Sequence, residues 1–379
     1  MAISESPSTL VAGMVSFNGL IPVFGMTGIN GNSEVEIGIM TVPSYNDWII
    51  RLNKSSYRSG PTGAWAGEWW SVYNYLQYGG ICVVGSTGST GDYWSSTGVL
   101  TASNTPLHNK NLVSLDVVFD GGNQNSVKAA ADIATKRQDC VAFVGNNIPI
   151  GSAITSPYNN HFTDFGVTAN TAYVSFYAGR KSISDDVSIP KVTPLIKVST
   201  SADAAGCLAR TYRLASPWSP ISGKTRGRIL STAAMESFND SDTSALIAGN
   251  INTIQTFPGE GTFLMGNKNG IGGALNNTFF VTYIKKILRD AMSNYLFEPN
   301  NDVIRSSLSN TLNNIMKNLL SLGAITSYNV VCDETNNTDI TIAAHQLIVD
   351  VTLERGVTAT SIVINLTLTG GSTESSELP

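Results

Sequence analysis

Apolar positions recur along this chain with two periods, and the clearest runs lie near its C-terminus. Between Asp302 and Leu322 the residues Leu308, Leu312, Ile315, Leu319 and Leu322 are spaced by four, three, four and three, which is one stripe of a helix. At ~1.5 Å per residue that helix is about 30 Å long. An earlier helix buries Phe280, Ile284, Ile287 and Ala291. Gly323 is placed to stop the long helix, and residues 324–332, 340–354 and 361–368 then predict three strands. In the last of them Ile362, Ile364, Leu366 and Leu368 fall on one face, with Val363, Asn365 and Thr367 on the other. Residues 369–379 are polar and rich in glycine and serine, so they have nothing with which to fill a core. A regular strand beside so loose a tail is free to pair outside its own fold, and strand addition is one way a chain recruits another.

Upstream the pattern is less regular. Residues 1–22 read as a polar start followed by a strand-like stretch at 10–17, together an N-terminal arm. Residues 23–110 are rich in glycine and aromatics, with a strand at 34–40, a helix at 65–78 carrying Trp69, Tyr73 and Leu76, and an apolar strand at 81–84. A strand at 111–119, a helix at 123–137 with Val127, Ala130, Ala131 and Ala134, and a strand at 140–144 have the spacing of a parallel unit with a right-handed crossover. A strand at 171–177 and a helix at 201–214 follow, between connections broken by Pro190, Pro194, Pro217 and Pro220. The expected architecture is mixed α/β. It comprises an arm (1–22), an outer region (23–110), a central α/β domain (111–270), a C-terminal helix-helix-sheet domain (271–360) and a strand arm with its tail (361–379).

Composition changes this picture in one respect. Charged residues make up 13% of the 379, about half the ~25% of an ordinary globular chain. Interface cores are depleted in charge, so such a surface suits faces covered by neighbours. A wealth of turns and loops would give the same composition. The net charge of −5 argues against sequence-independent nucleic-acid binding, which needs lysine and arginine against phosphate. No run of eighteen apolar residues predicts a membrane span, and residues 1–10 lack the basic start of a secretory signal. Cys82, Cys140, Cys207 and Cys332 are far apart and in apolar surroundings, so buried, reduced thiols are expected.

Candidate chemistry is sparse. Ser222-Gly223-Lys224-Thr225 has the tail of a phosphate-binding loop, but Trp218 stands where the motif needs glycine, and Pro217 and Pro220 stiffen the backbone. The glycines at 85, 88 and 91 are not in the dinucleotide pattern. His108, His161 and His345 are too dispersed for a metal site, and no glycine-x-serine-x-glycine elbow occurs. The adjacent pairs Asp185-Asp186 and Asp333-Glu334 read as solvated turns, since neighbours diverge. Neither an enzyme nor a cofactor is indicated. One charged cluster stands out: Lys285 and Arg289 lie four apart on the outer face of the first C-terminal helix, with Lys286 beside them. On the residues alone this is as well a solvated face as a binding one.

Several segments resemble contractile tail sheath proteins, the outer-tube subunits of contractile phage tails and related injection devices. They are Tyr283-Ile284-Lys285-Lys286 through Phe297-Glu298-Pro299-Asn300-Asn301, Leu322-Gly323-Ala324-Ile325, and Val330-Val331-Cys332 through Asn336-Asn337. Asn250-Ile251-Asn252-Thr253-Ile254 with Gly259-Glu260-Gly261 and Gly266-Asn267 is similar to the family's asparagine and glycine-rich stretch, with Met265 in place of the usual tryptophan. Ala204 to Arg210 is similar to its alanine-glycine run. The resemblance implies a structural subunit of six-membered rings stacked around an inner tube protein. It also implies baseplate and tail-terminator partners, terminal arms that add strands to neighbouring C-terminal sheets, and a place in a virion tail assembled in the host cytoplasm. It favours Lys285, Lys286 and Arg289 as tube-facing and Ile362, Ile364, Leu366 and Leu368 as the linking strand. The competing expectation is an α/β enzyme handling a nucleotide or sugar through its central strand-helix-strand unit.

Overall fold

The structure, a computed structural model, describes residues 18–23, 38–42, 66–86, 110, 114–121, 124–145, 171–183, 196–230, 234–235, 238–356, 362–366 and 374–378. The chain divides between Tyr283 and Ile284 into two compact units. In the first, β1 (Asn18–Val23), β2 (Gly38–Val42), α1 (Ala66–Leu76) and β3 (Ile81–Ser86) precede β4 (Val117–Phe119), α2 (Gln124–Arg137) and β5 (Val141–Gly145). A 3-10 turn leads into β6 (Val174–Tyr177), then β7 (Arg180–Ile183), β8 (Ile196–Ser199), α3 (Ser201–Leu214) and β9 (Ala234–Met235). After these come α4 (Asp240–Ala248), β10 (Ile251–Phe257), β11 (Gly261–Met265) and the start of α5 (Leu275–Ser293).

Eight strands share one sheet in the order β11-β10-β6-β5-β4-β1-β3-β2, parallel except for β2 and β11 at its edges. Alternate residues supply two cores. Val117, Phe119, Val141 and Phe143 join α1 and α3 on one face, while Val118, Ala142 and Val144 join α2 on the other. This is why β4 and β5 read as unbroken apolar runs: both faces are covered. The expected strand-helix-strand unit is therefore found, with β4 and β5 paired in parallel. The borders expected at 22/23 and 110/111 are not. β1 lies between β3 and β4, so any N-terminal arm ends before Asn18, and the outer region and central domain share a sheet. The stretch 10–17 lies outside the described residues. The single strand expected at 171–177 is a 3-10 turn followed by β6.

α3 packs closely on α1. Gly206 permits it, since a Cβ there would lie 2.2 Å from Cδ2 of Tyr78. That contact accounts for the glycine within Ala204-Ala205-Gly206-Cys207. Beside it the ammonium of Lys181, fully buried, donates to Oδ1 of Asp203 at 2.7 Å, to the Leu230 carbonyl at 2.7 Å and to Oδ1 of Asn74. Asp203 also accepts from the Tyr78 hydroxyl at 2.6 Å and from Asn74 Nδ2 at 2.8 Å. Burial, reinforced by the Asp203 carboxylate, pushes the Tyr78 phenol well above its ordinary pKa. A buried charge is tolerable only when so saturated.

The second unit continues α5 and adds α6 (Asp302–Ser321), β12 (Ser327–Val331), α7 (Asp339–Ala343), β13 (Asp350–Glu354), β14 (Ile362–Leu366) and β15 (Glu374–Leu378). α6 forms where its stripe predicted. Asn301 caps it by accepting from the Ile304 amide at 2.9 Å. At its other end Gly323, at φ 68°, allows Ala324 N to reach the Leu319 carbonyl and Gly323 N that of Leu320, closing the last turn. Leu308, Leu312 and Leu319 are buried. Ile315 packs half-buried on Leu308 and Leu312, Met316 beside it is fully buried, and Leu322 is 41% exposed, because a 3.6-residue turn drifts against a 3.5-residue spacing. The strand expected over 340–354 is α7 followed by β13. The tail expected to be loose contributes β15, which pairs antiparallel with β14.

The Lys181 cluster is expected to be a stability determinant. Asp203→Ala, which strands a buried ammonium, should cost about 3–5 kcal/mol, and the double change Lys181→Met with Asp203→Leu should cost less than the sum of its singles. Urea unfolding of the variants checks this; additive losses would contradict it.

Candidate assembly site

β12 and β13 form a two-stranded antiparallel sheet running from Ser327↔Glu354 to Val331↔Asp350. Exposure alternates. Tyr328, Val330, Val351 and Leu353 are half-buried, whereas Ser327, Asn329, Thr352 and Glu354 are exposed. Val330 and Val351 pack on Leu308, Leu312 and Cys332, joined by Leu288 and Ala291 of α5. One face is thus covered by helices, and among the described residues no further strand pairs with the outer edge of either strand. An edge of unpaired amides and carbonyls is a template for another strand.

The loop between these strands is held by side-chain amides. Asn337, 3% exposed, donates to the Ile348 carbonyl at 2.9 Å and the Asp333 carbonyl at 3.1 Å, and accepts from the Ile348 amide at 2.8 Å. Asn336 donates to the Val331 carbonyl and to Asp350 Oδ2. Asn300 bridges to Asn337 and to the Gln346 carbonyl, and Arg305 donates to Asn300 Oδ1 at 2.9 Å. By tying 333 to 348 the clasp makes the chain turn back, and this is why the β-branched run at 340–342 sits in α7 and not in a strand. The Thr335 hydroxyl and amide hold the Asp333 carboxyl below the usual carboxylate range. Asp333 thus holds its own turn through Thr335. The motif residues were visible in the sequence. That they form one network with Arg305 was not, because Asn300 and Asn337 are 37 positions apart.

The expected site residues are only partly brought together. Lys285, Lys286 and Arg289 share one stretch of α5, where all three are half-buried and engaged with other groups. Ile362, Ile364 and Leu366 are in β14, in register with Leu378, Ser376 and Glu374 of β15; Leu368 lies outside the described residues.

The positions with a chemical look have structural occupations. Gly223 N donates to the Leu264 carbonyl at 2.8 Å and Lys224 pairs with Glu260 at 2.8 Å, so neither is directed at a phosphate. Trp218 packs edge-on against Phe280 and Tyr283. An α/β sheet binds ligands at the carboxyl ends where strand order reverses, here between β1 and β4. At that end of β4, Asp120 accepts from the Gly145 amide at 2.6 Å, and the Ser201 hydroxyl bonds the Asp120 carbonyl. Asn252 donates to Ser175 Oγ and the Lys268 carbonyl and accepts from the Lys268 amide, so the asparagine-glycine stretch ties a loop to the sheet. The four cysteines are free and buried, as expected, and burial pushes the Cys207 thiol up to about 12. His345 is exposed; His108, His161 and Asp185-Asp186 lie outside the described residues.

A doubly covered α/β sheet, followed in the chain by a helix pair with a small open-edged sheet, is a fold similar to that of solved proteins of contractile systems. Residues 275–369 match the phage tail sheath C-terminal domain family. The tail sheath protein of Vibrio phage KVP40 is 25% identical over 272 residues, covering 66% of this chain and 40% of that protein. The chain thus spans about 40% of the length of that curated relative. A chain of the anti-feeding prophage (AFP) baseplate has the same fold at a TM-score of 0.70 and 15% identity, covering 97% of this chain and 95% of that one. A chain of the contracted sheath complex of the extracellular contractile injection system PVC gives 0.69 at 17% identity, covering 93% and 92%. The expected kinship with contractile tail sheath proteins is borne out, as is the mixed α/β class.

The clasp is expected to hold the small sheet in place. Asn337→Ala should lower the stability of the C-terminal unit by about 2–4 kcal/mol, since buried backbone groups lose their partner. Amide exchange at Ile348 should speed up with it. An unchanged exchange rate would show that the clasp is dispensable.

Proposed function

We propose that the chain is a non-enzymatic sheath subunit that polymerises as stacked six-membered rings around an inner tube and contracts to drive that tube through a cell envelope. The open-edged β12–β13 sheet, followed in the chain by the β14–β15 hairpin, carries this reading. The sheet is too small to be self-sufficient, and two-stranded ribbons are marginal in water. A strand from a neighbouring copy would give its edge amides partners. Five residues in β14, at roughly 0.5–1.5 kcal/mol net per hydrogen bond, make a link of a few kcal/mol before ordering costs. Repeated through a ring, such a link sustains a polymer. Gly356 after β13 supplies slack in this reading, Gly370-Gly371 between β14 and β15 lie outside the described residues, and α6 contains neither glycine nor proline and moves as one piece. Contraction is then a rearrangement of rigid units around these links.

The sheath and baseplate assemblies named for the similar folds support self-association and a baseplate partner. An inner tube protein, a tail terminator and a virion-tail location follow from the same reading. Deleting residues 361–379 should leave a folded subunit, with its thermal midpoint within a few degrees of the full chain, that forms no tubes by negative stain. Normal tubes from the truncated chain would refute the arm. The Lys285, Lys286 and Arg289 stretch is assigned to tube holding. Single surface ion pairs are worth ~0–1 kcal/mol, so the measurable variant is the triple change Lys285→Glu, Lys286→Glu and Arg289→Glu. It should weaken capture of the tube in the extended state by more than its fall in thermal midpoint accounts for. Intact extended particles from this variant would remove the assignment.

A further inference from the structure

We propose that the apolar groove beside Phe297 is a second contact between copies of this chain, distinct from the strand link; the inference rests on the self-assembly proposed above. The groove, of about 1230 Å³, lies in the C-terminal unit and is lined by Met292, Tyr295, Leu296, Phe297, Leu347 and Val349 among others. Its lining includes only two groups that carry or can gain charge, Glu298 and His345. At its lip Leu296 is 66% exposed and Phe297 fully exposed, with Met292 at 37%. Ile340, 81% exposed, sits on α7, whose Ile342 also lines the groove.

Phe297 is the informative residue. It takes a left-handed backbone, φ 68°, in the turn after α5, where glycine or asparagine ordinarily stands. A bulky residue there is strained, and a fully exposed ring gains no burial in return. Neither feature benefits the isolated subunit, so both point to a surface that is covered when the protein works.

Size and charge argue for a second copy as the occupant. A phenylalanine ring offers on the order of 150–250 Å². With Leu296 and Met292 the exposed apolar lip reaches roughly 400 Å², about half of the ~800 Å² that each partner gives to a stable pair. The patch is too small to hold a free dimer, yet well suited to a polymer in which each copy meets several others. A largely apolar groove with one carboxylate, Glu298, suits a partner surface poor in charge, and only 13% of this chain's residues are charged.

The test uses the full-length chain with Phe297→p-benzoylphenylalanine, polymerised and irradiated. The expected product is a cross-linked pair of chains, with the attached peptide mapping to a second copy. Cross-links within one chain, to a different protein, or none at all in well-formed sheath would overturn the groove contact. Leu296→Ser with Phe297→Ser should leave the thermal midpoint of the unassembled chain unchanged and lower the yield of sheath at least about tenfold; an undiminished yield would overturn it as well. If the unmodified chain forms no sheath under any condition, the self-assembly reading fails and this contact falls with it.

Discussion

Everything the C-terminal unit presents depends on one surface, the apolar stripe of α6. A two-stranded sheet has little stability of its own. Val330 and Val351 keep β12 and β13 in register because Leu308 and Leu312 receive them, with Leu288 of α5 closing the layer. The stripe in turn is fixed at both ends by single residues. Asn301 starts the helix and Gly323 ends it, and the buried Ala324 and Ile325 then lead the chain straight into β12. A shift of one residue at either cap would turn the sheet's apolar face away from the helix. The open edges are therefore placed by helix capping before any strand propensity is considered.

Charge is used sparingly, and some of it is turned inward. Lys181 with Asp203, and Arg137 with Asp139, are buried ion pairs whose hydrogen bonds are internal. Much of the remaining stitching is done by asparagine. A planar amide both donates and accepts, so one side chain can bond an amide and a carbonyl of a neighbouring segment at once. Asn252 does this to Lys268, and Asn337 does it to Ile348. This use of asparagine accounts for part of the chain's low charge without any appeal to interfaces. The exposed apolar groove beside Phe297 is a different matter, since no internal bond explains it.

How much of this was legible in the sequence follows from the range of the interactions. Local signals held: α2, α3 and α6 fall where the sequence pattern put them, and α3 matches to the residue. Long-range ones did not. Nothing local tells that residues 18–23 form a parallel strand between β3 and β4, because a short strand-like stretch near a terminus looks the same free or inserted. The run at 340–342 has strand-forming residues, and only the distant Asn337–Ile348 bonds make it part of a loop. Lys285 and Arg289 are correctly spaced on one side of α5, but spacing does not reveal what packs over that side. The family motifs were readable as letters. Their physics, a clasp, a cap and a tight helix crossing, became visible only as contacts.

A part that transmits force needs rigid bodies joined by links that do not depend on exposed charge. The two ingredients are separable in this chain. Rigidity comes from the doubly covered sheet and from a capped helix of 20 residues without an internal breaker. Linkage, in the proposed sheath, falls to backbone groups along a sheet edge. Surface ion pairs are screened by salt and individually worth ~0–1 kcal/mol. A ladder of backbone hydrogen bonds adds its terms in series, is insensitive to ionic strength, and stays registered when the bodies it joins rotate. In the proposed sheath, a chain with only 13% charged residues would lose little by relying on such a ladder.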